Sequence, residues 1–348
     1  MTTDLGRRKD DHLTLCAEGD VGFRAATTLL EGVRLVHDAL PELAVDDVDL
    51  SVRLLGKRLR APIVIASMTG GTDEAGRINH ALASIAEKRG YAFGLGSQRA
   101  ILKNRASLPT YGVRDVAPNV LLLGNLGVVQ ATKLGTEEVR ELAGLVQADA
   151  LCIHLNPAME LVQAEGDRDF RGNLDTIERL HRELGIPVIA KETGCGLSGS
   201  VADRLRSRGV RHVDVSGAGG TSWVAVEMHR ASGANKALGE TFRDWGIPTA
   251  ASVGLVARRG FDTIFATGGV KDGLDIAKAV ALGASAGGIA RGALQALESG
   301  GRSGAVAFFE RLEAEIRTTM LLVGARDLEA LRQAPRLVRG ELAAWLAA

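Results

Sequence analysis

The sequence predicts an α/β protein: a (β/α)8 TIM barrel with an N-terminal extension and a long insertion after strand six. Three observations carry that prediction. From Pro62 onward, eight short apolar runs recur with helix-like segments between them. Polar or glycine-rich residues follow nearly every run: Thr69, Ser97, Asn125, Asn156, Lys191, Ser216, Gly268 and Arg291. In a closed parallel barrel those ends share one face, and that face carries the chemistry. Finally, eight alternations on one chain favour closure over an open doubly wound sheet.

Residues 1–60 do not share the alternation. RRKDDH at 7–12 is a charge cluster that reads, on its own, as a solvated terminal arm. Asp46–Leu50 and Val52–Leu54 suggest short strands, and LLGKRLRAP resembles a hairpin leading into the barrel. The division expected is an extension over 1–60, covering one end of the barrel, and a catalytic barrel with C-terminal helices over 61–348.

The strands then follow in order. Ile63–Ser67 is the first, ending in MTGG, with a helix from Asp73 to Lys88. Ala92–Leu95 ends in GSQRA; Val120–Leu123 ends in GNLG, with a helix near Thr136–Gln147. Leu151–Leu155 is the fourth, and Val188–Lys191 the fifth, with a helix from Ser198 to Arg208. Val213–Val215 is the sixth. The connection after it, Gly217 to Gly246, has the length of a lid or binding loop. Thr263–Thr267 is the seventh, followed by Gly268-Gly269, an N-cap at Asp272 and a helix from Gly273 to Leu282. Ala286–Ala290 is the eighth, and Ala305–Leu322 reads as an amphipathic helix.

Composition narrows the function. Lys+Arg and Asp+Glu both number 42, so no net field draws the chain to nucleic acid or acidic lipid. An anionic ligand must be caught locally. The 43 glycines cluster at strand ends, where backbone N–H groups can approach such a ligand. Three cysteines, Cys16, Cys152 and Cys195, show no metal-type spacing and fit a reduced, cytoplasmic setting. No signal peptide or membrane span is expected.

Several constellations can do chemistry. Gly268-Gly269, between a strand and a helix, suit a phosphate held between the last two strands, though tight turns alone would explain both them and Gly287-Gly288. Lys191 ends an apolar strand; it can balance an anion, act as an amine or base, or pair with Glu192 or Glu160 at the rim. His154, Asn156, Glu160, Gln163, Glu165 and Asp167 form the most polar strand end. Oxygen ligands near a phosphate suit Mg²⁺. His154 is equally readable as a satisfied core histidine, and Glu160 as an ordinary first-turn glutamate. Ser97-Gln98-Arg99 can clamp a phosphate or simply open a helix. No HExxH, G-x-S-x-G or Walker A pattern occurs, and no GxGxxG follows the early strands.

The full set of motifs resembles the type 2, FMN-dependent isopentenyl diphosphate isomerases. The matches are RKDDH at 8–12, SMTGG at 67–71, GSQRA at 96–100, GNLG at 124–127, HLNPAMELVQAEGDRDF at 154–170, KETGCGLS at 191–198, DVSGAGGTSW at 214–223 and TGGVKDGLD at 267–275. They run in order from the arm to the last strands. The resemblance implies FMN contacts at Ser67, Met68, Thr69, Ser97, Asn125, Lys191, Ser216 and Thr221. It implies a phosphate site at Gly268, Gly269 and Val270, closed by Ala290 and Arg291. The substrate diphosphate would meet Arg8, Lys9, Ser97, Gln98 and Arg99, with Mg²⁺ on Glu160. The arm thereby changes from tail to clamp.

The implied reaction interconverts isopentenyl and dimethylallyl diphosphate on reduced FMN, with NADPH as reductant. The reacting alkene would lie near His154, Asn156, Met159 and Lys191. Resemblance also implies a small-molecule diphosphate as partner and a homo-oligomer, tetramer or octamer. One departure matters: such isomerases usually carry glutamine directly before the metal-binding glutamate, and this chain has Met159. Methionine matches the length but loses the amide hydrogen bonds. Gln163, four residues on, is a possible stand-in. The rival expectations are an FMN oxidoreductase on the same barrel, and a flavin-binding paralogue whose isomerase chemistry is lost.

Overall fold

The computed structural model describes residues 4–348. Eight parallel strands close into a barrel: β1 (Ile63–Ile65), β2 (Ala92–Gly94), β3 (Leu121–Gly127), β4 (Ala150–Leu155), β5 (Val188–Glu192), β6 (His212–Asp214), β7 (Thr263–Ala266) and β8 (Ala286–Ile289). Closure is made by β8 on β1, with Gly287 opposite Ile63 and Ile289 opposite Ile65.

Period two along each strand sorts the side chains. Ile63, Ile65, Leu122, Leu151, Ile153, Val188 and Val213 belong to the large cluster under the helices. The alternate residues Val64, Leu121, Leu123, Ala150, Cys152, Ile189 and Phe265 form a second cluster, the barrel interior. One step further along the same inward rows stand Asn125, His154, Lys191 and Thr267. Polarity therefore begins where the apolar filling stops.

The other end is plugged. Val52–Leu54 and Lys57–Leu59 pair as the expected hairpin, and Leu54 and Leu59 join the interior cluster. Lys57 Nζ donates to Asp149 at 2.8 Å and to the carbonyl of Val120 at 3.0 Å, holding the hairpin against the starts of β3 and β4. Val33–Leu35 pairs antiparallel with Arg336–Val338, which ties the extension to the C-terminal segment.

Three expectations need correction. Asp46–Leu50 contains no strand; Val45–Asp47 is a short 3-10 turn, because Asp47 folds back to accept from Ala44 N at 2.8 Å. β3 runs on through Gly127, since its pairing with β4 continues to Gly127 opposite His154. The connection after β6 is helical, with helices over Trp223–Arg230 and Gly233–Phe242. Ser222 caps the first by accepting from Ala225 N. Asp272 caps the helix Gly273–Ala281 as expected, accepting from Asp275 N at 2.7 Å.

The segment read as an arm is a helix over Asp4–Glu18. It lies against the open end of the barrel, where Lys9, His12, Leu13 and Cys16 line the cavity mouth. No helix among the described residues is long and apolar enough to cross a membrane.

Candidate active site

A cavity of about 970 Å³ opens at the carboxyl ends of the strands. That lies at the upper end of ordinary ligand pockets, roughly 300–1,000 Å³. Ser67, Met68 and Thr69 line it from β1; Ser97 and Arg99 from β2; Asn125 from β3; and His154, Asn156, Met159 and Glu160 from β4. Lys191, Ser216 and Thr221 continue around it, and Gly268, Gly269, Val270, Ala290 and Arg291 close the ring. The arm adds Lys9. Gln98 does not reach the cavity, contrary to expectation. Its side chain is buried, donating to Leu142 O at 2.8 Å and accepting from Asn125 N at 3.1 Å. The side chain of Arg8 lies outside the described residues.

A row of polar side chains forms the floor. His154 Nδ1 is 2.8 Å from Asn125 Oδ1. The bond makes that nitrogen the donor, leaving Nε2 as an acceptor on the neutral ring. Burial, then the nearby charges of Lys191 and Arg99, push the histidine down to about 4, so it is neutral at pH 7. Lys191 Nζ pairs with Asp214 Oδ2 at 3.0 Å and donates to Glu192 O at 3.1 Å. The rim partners Glu192 and Glu160 expected for its ammonium are therefore replaced by Asp214, directly opposite Lys191 in the β5–β6 register. Asp214 in turn accepts from Thr267 Oγ1 at 2.6 Å, which fixes it across β6 and β7.

The loop after β5 is organised by Glu192. One of its carboxylate oxygens accepts from the N–H groups of Thr193, Cys195 and Gly196, at 2.5, 2.5 and 3.0 Å. Burial still pushes this carboxyl up to about 8 against those donors. The carbonyl of Ser216 accepts from Gly194 N and Gly196 N, at 2.8 and 3.1 Å. Ser216 adopts φ 36°, uncommon for a residue with a side chain, so these contacts hold a strained backbone at the cavity wall.

Opposite the polar row is a glycine cradle. Gly268 has φ 96°, and a Cβ there would stand 2.1 Å from Gly217 O. Only glycine lets the two loops meet so closely. The helix that begins at Arg291 presents its first-turn N–H groups beside this cradle. Backbone donors on one side and a neutral histidine with a lysine–aspartate pair on the other fit a long ligand with an anionic tail and a polar ring. FMN has that shape.

A cation site is less complete. Glu160 is buried; its oxygens accept from Asn156 Nδ2 at 2.8 Å and Asp167 N at 2.9 Å. No group of three or more His, Cys, Asp or Glu residues able to hold a metal occurs among the described residues. One carboxylate would suit Mg²⁺ if a ligand's phosphate lay beside it, because that ion takes most of its oxygens from phosphate and water. Met159 turns its sulfur toward Asn156, 3.8 Å from Nδ2. The helix Pro157–Val162 ends before Gln163, which lines the cavity with its amide oxygen buried and without a hydrogen-bond partner.

Residues 154–338 match the FMN-dependent dehydrogenase family model. An isopentenyl-diphosphate delta-isomerase of Nostoc sp. is 46% identical over 336 residues, covering 95% of each chain. The enzyme of that name from Methanosarcina acetivorans is 45% identical over 349 residues, covering 98% of this chain and 94% of its own. The chain belongs to the type 2, FMN-dependent isopentenyl-diphosphate delta-isomerase family. Among solved structures, a mandelate oxidase variant with a monooxide FMN adduct matches with TM-score 0.66 at 19% identity, over 97% of this chain and 100% of that one. A lactate oxidase from Pediococcus acidilactici matches with TM-score 0.67 at 15% identity, over 96% and 93%. At such identities the oxidases speak for the fold alone.

Within this isopentenyl-diphosphate delta-isomerase family member, sequence reading missed four residues that build the site. Asp214, in the motif DVSGAGGTSW, was signalled only by a charge inside an apolar strand. Glu192 was read as a rim partner. Glu227, buried under the mouth, bonds His12 Nε2 at 2.9 Å and Arg230 at 2.9 Å. Tyr111 left no signal, because it lies between elements at the end of a 3-10 turn.

Proposed function

We propose that this chain interconverts isopentenyl and dimethylallyl diphosphate on bound, reduced FMN, with Mg²⁺ at Glu160 and NADPH as the reductant. The observation that carries the reading is the facing pair of surfaces in one cavity: a glycine cradle for a phosphate, and a floor whose histidine is held neutral. Reduced FMN, when bound, would supply the acid and base that move a proton on and off the alkene, with no net redox change. The protein's own tasks follow from its groups. Gly268, Gly269, Val270, Ala290 and Arg291 would hold the flavin phosphate. Ser67, Met68, Thr69, Asn125, Ser216 and Thr221 would seat the ring system. Lys191, its charge shared with Asp214, would face an anionic ring without leaving a bare cation when the site is empty.

The substrate diphosphate would sit among Arg8, Lys9, Ser97 and Arg99, and complete the cation's oxygen set at Glu160. His154 and Asn156 would border the hydrocarbon end beside Met159. A tertiary cation formed there needs a site that excludes water and offers negative charge nearby. A neutral His154 adds no opposing positive charge.

An FMN oxidoreductase would require a basic side chain facing the flavin from a late strand; the late inward positions here are Asp214 and Thr267, bonded to each other. Met159 favours the other alternative, a flavin-binding paralogue without turnover, because a thioether replaces an amide. The assay is product formation from isopentenyl diphosphate by dithionite-reduced, FMN-loaded protein with Mg²⁺. Dimethylallyl diphosphate is the expected product. Loaded, reduced protein that yields none is the outcome that refutes the isomerase reading. We further propose a cytoplasmic homo-oligomer, tetramer or octamer, without nucleic-acid or membrane partners; light scattering of the loaded protein tests the assembly.

A further inference from the structure

The arm helix is held to the barrel by a buried phenol. Tyr111 is fully buried at the end of the turn Arg105–Thr110. Its hydroxyl accepts from Lys9 Nζ at 2.6 Å and donates to the carbonyl of Ser97 at 2.7 Å. Lys9 also donates to Gly70 O, and to Ser97 O at 3.4 Å. The tyrosine ring fills the space beside Gly70, where a Cβ would stand 2.1 Å from a ring carbon. Its neighbour Thr110 extends the seam, accepting from Gly71 N at 2.7 Å, while Asn79 Nδ2 donates to Thr110 O at 2.9 Å. One short segment thus joins the arm, the loop after β1 and the loop after β2.

We propose that Tyr111 is a positioning residue for anion capture: through its hydroxyl it sets where Lys9 and the Ser97–Arg99 turn stand, without touching the ligand. This rests on the diphosphate reading given above. The chemistry is directional. A phenol has one proton, and giving it to Ser97 O leaves the oxygen lone pairs to receive Lys9. The chain of bonds runs Lys9 to Tyr111 to Ser97 and fixes an ammonium and a backbone turn in one geometry. Ser97 Oγ, next in the chain, accepts from Arg99 N at 3.4 Å, so the guanidinium's root is set by the same turn. The hydroxyl also serves the ring's neighbours little: packing against Gly70 is made by ring carbons, which phenylalanine retains.

Tyr111→Phe in the full-length, FMN-loaded protein tests this. Inorganic pyrophosphate affinity is read by calorimetry, alongside KM, kcat and FMN affinity. Loss of a hydrogen bond to a charged group predicts pyrophosphate affinity and KM about tenfold worse, with kcat and FMN affinity within about twofold. Lys9→Met should weaken pyrophosphate binding too, and Tyr111→Phe should add little on top of it, because the phenol acts through that lysine. Unchanged pyrophosphate affinity in Tyr111→Phe overturns the proposal. So does a joint loss of FMN and pyrophosphate binding, which would mark a packing role. The titration needs no turnover: a chain that fails to isomerise yet shows the tenfold ratio would sink the proposed function and support this inference.

Discussion

At the scale of single residues, His154 shows how a barrel makes an ordinary side chain unusual. Its pKa of about 4 lies below the ordinary 6.5, so as pH falls the unfolded chain binds the proton first. Its contribution to stability is intact above about pH 6.5 and is lost progressively toward pH 4. His154→Gln, which cannot titrate, should flatten the dependence of the urea midpoint on pH across that window. A second residue-scale expectation concerns Met159. Restoring an amide by Met159→Gln should raise kcat by about ten- to a hundredfold, the worth of one hydrogen bond to a developing charge. A gain from no activity to full turnover would instead mark the native chain as a paralogue. Lys191 was visible in the sequence as a charge closing an apolar strand, but its partner was not. Asp214 is 23 positions later in the chain, and only closure of the sheet puts it opposite in register.

Elements show the same division between local and distant causes. The helix cap at Asp272 and the hairpin at Val52–Leu59 were legible because turns and caps are written in adjacent residues. The helices Trp223–Arg230 and Gly233–Phe242 were not, since each is short and packs on the other and on the helix Pro157–Val162, a pairing that no single stretch of sequence displays. The plugging hairpin should matter energetically. Leu59 belongs to the barrel interior, so Leu59→Ala should cost about 2–5 kcal/mol by urea unfolding. The glycine cradle is the functional counterpart. Gly268→Ala would drive a methyl into Gly217 O at 2.1 Å and impose a positive φ on a residue with a side chain. The purified variant should retain no yellow colour after desalting, while native protein reconstituted with FMN should keep it.

Across the whole molecule, the arm and the hairpin meet the barrel's two openings, Lys9, His12, Leu13 and Cys16 at the mouth and Leu54 and Leu59 at the plugged end. The arm helix is clasped at the mouth by Arg291, which donates to Cys16 O and Gly19 O, each at 2.9 Å. Gln295 adds a bond to Ala17 O. The residue expected to close the flavin phosphate site therefore also fastens the arm. FMN at about 100 times its dissociation constant should stabilise the fold by about 2.7 kcal/mol, a rise of about 3–5 °C in Tm. Riboflavin, which lacks the phosphate, should raise it less in the same thermal scan.

The seam between β8 and β1 has a consequence for how the chain is made. Ile63 must wait for Gly287. During synthesis, the first barrel strand leaves the ribosome with one edge bare and keeps it bare until almost the whole polypeptide has followed. Such an edge invites pairing with other chains. Ribosome-bound intermediates that stop short of β8 should therefore recruit holdase chaperones, and release them once the last strand emerges.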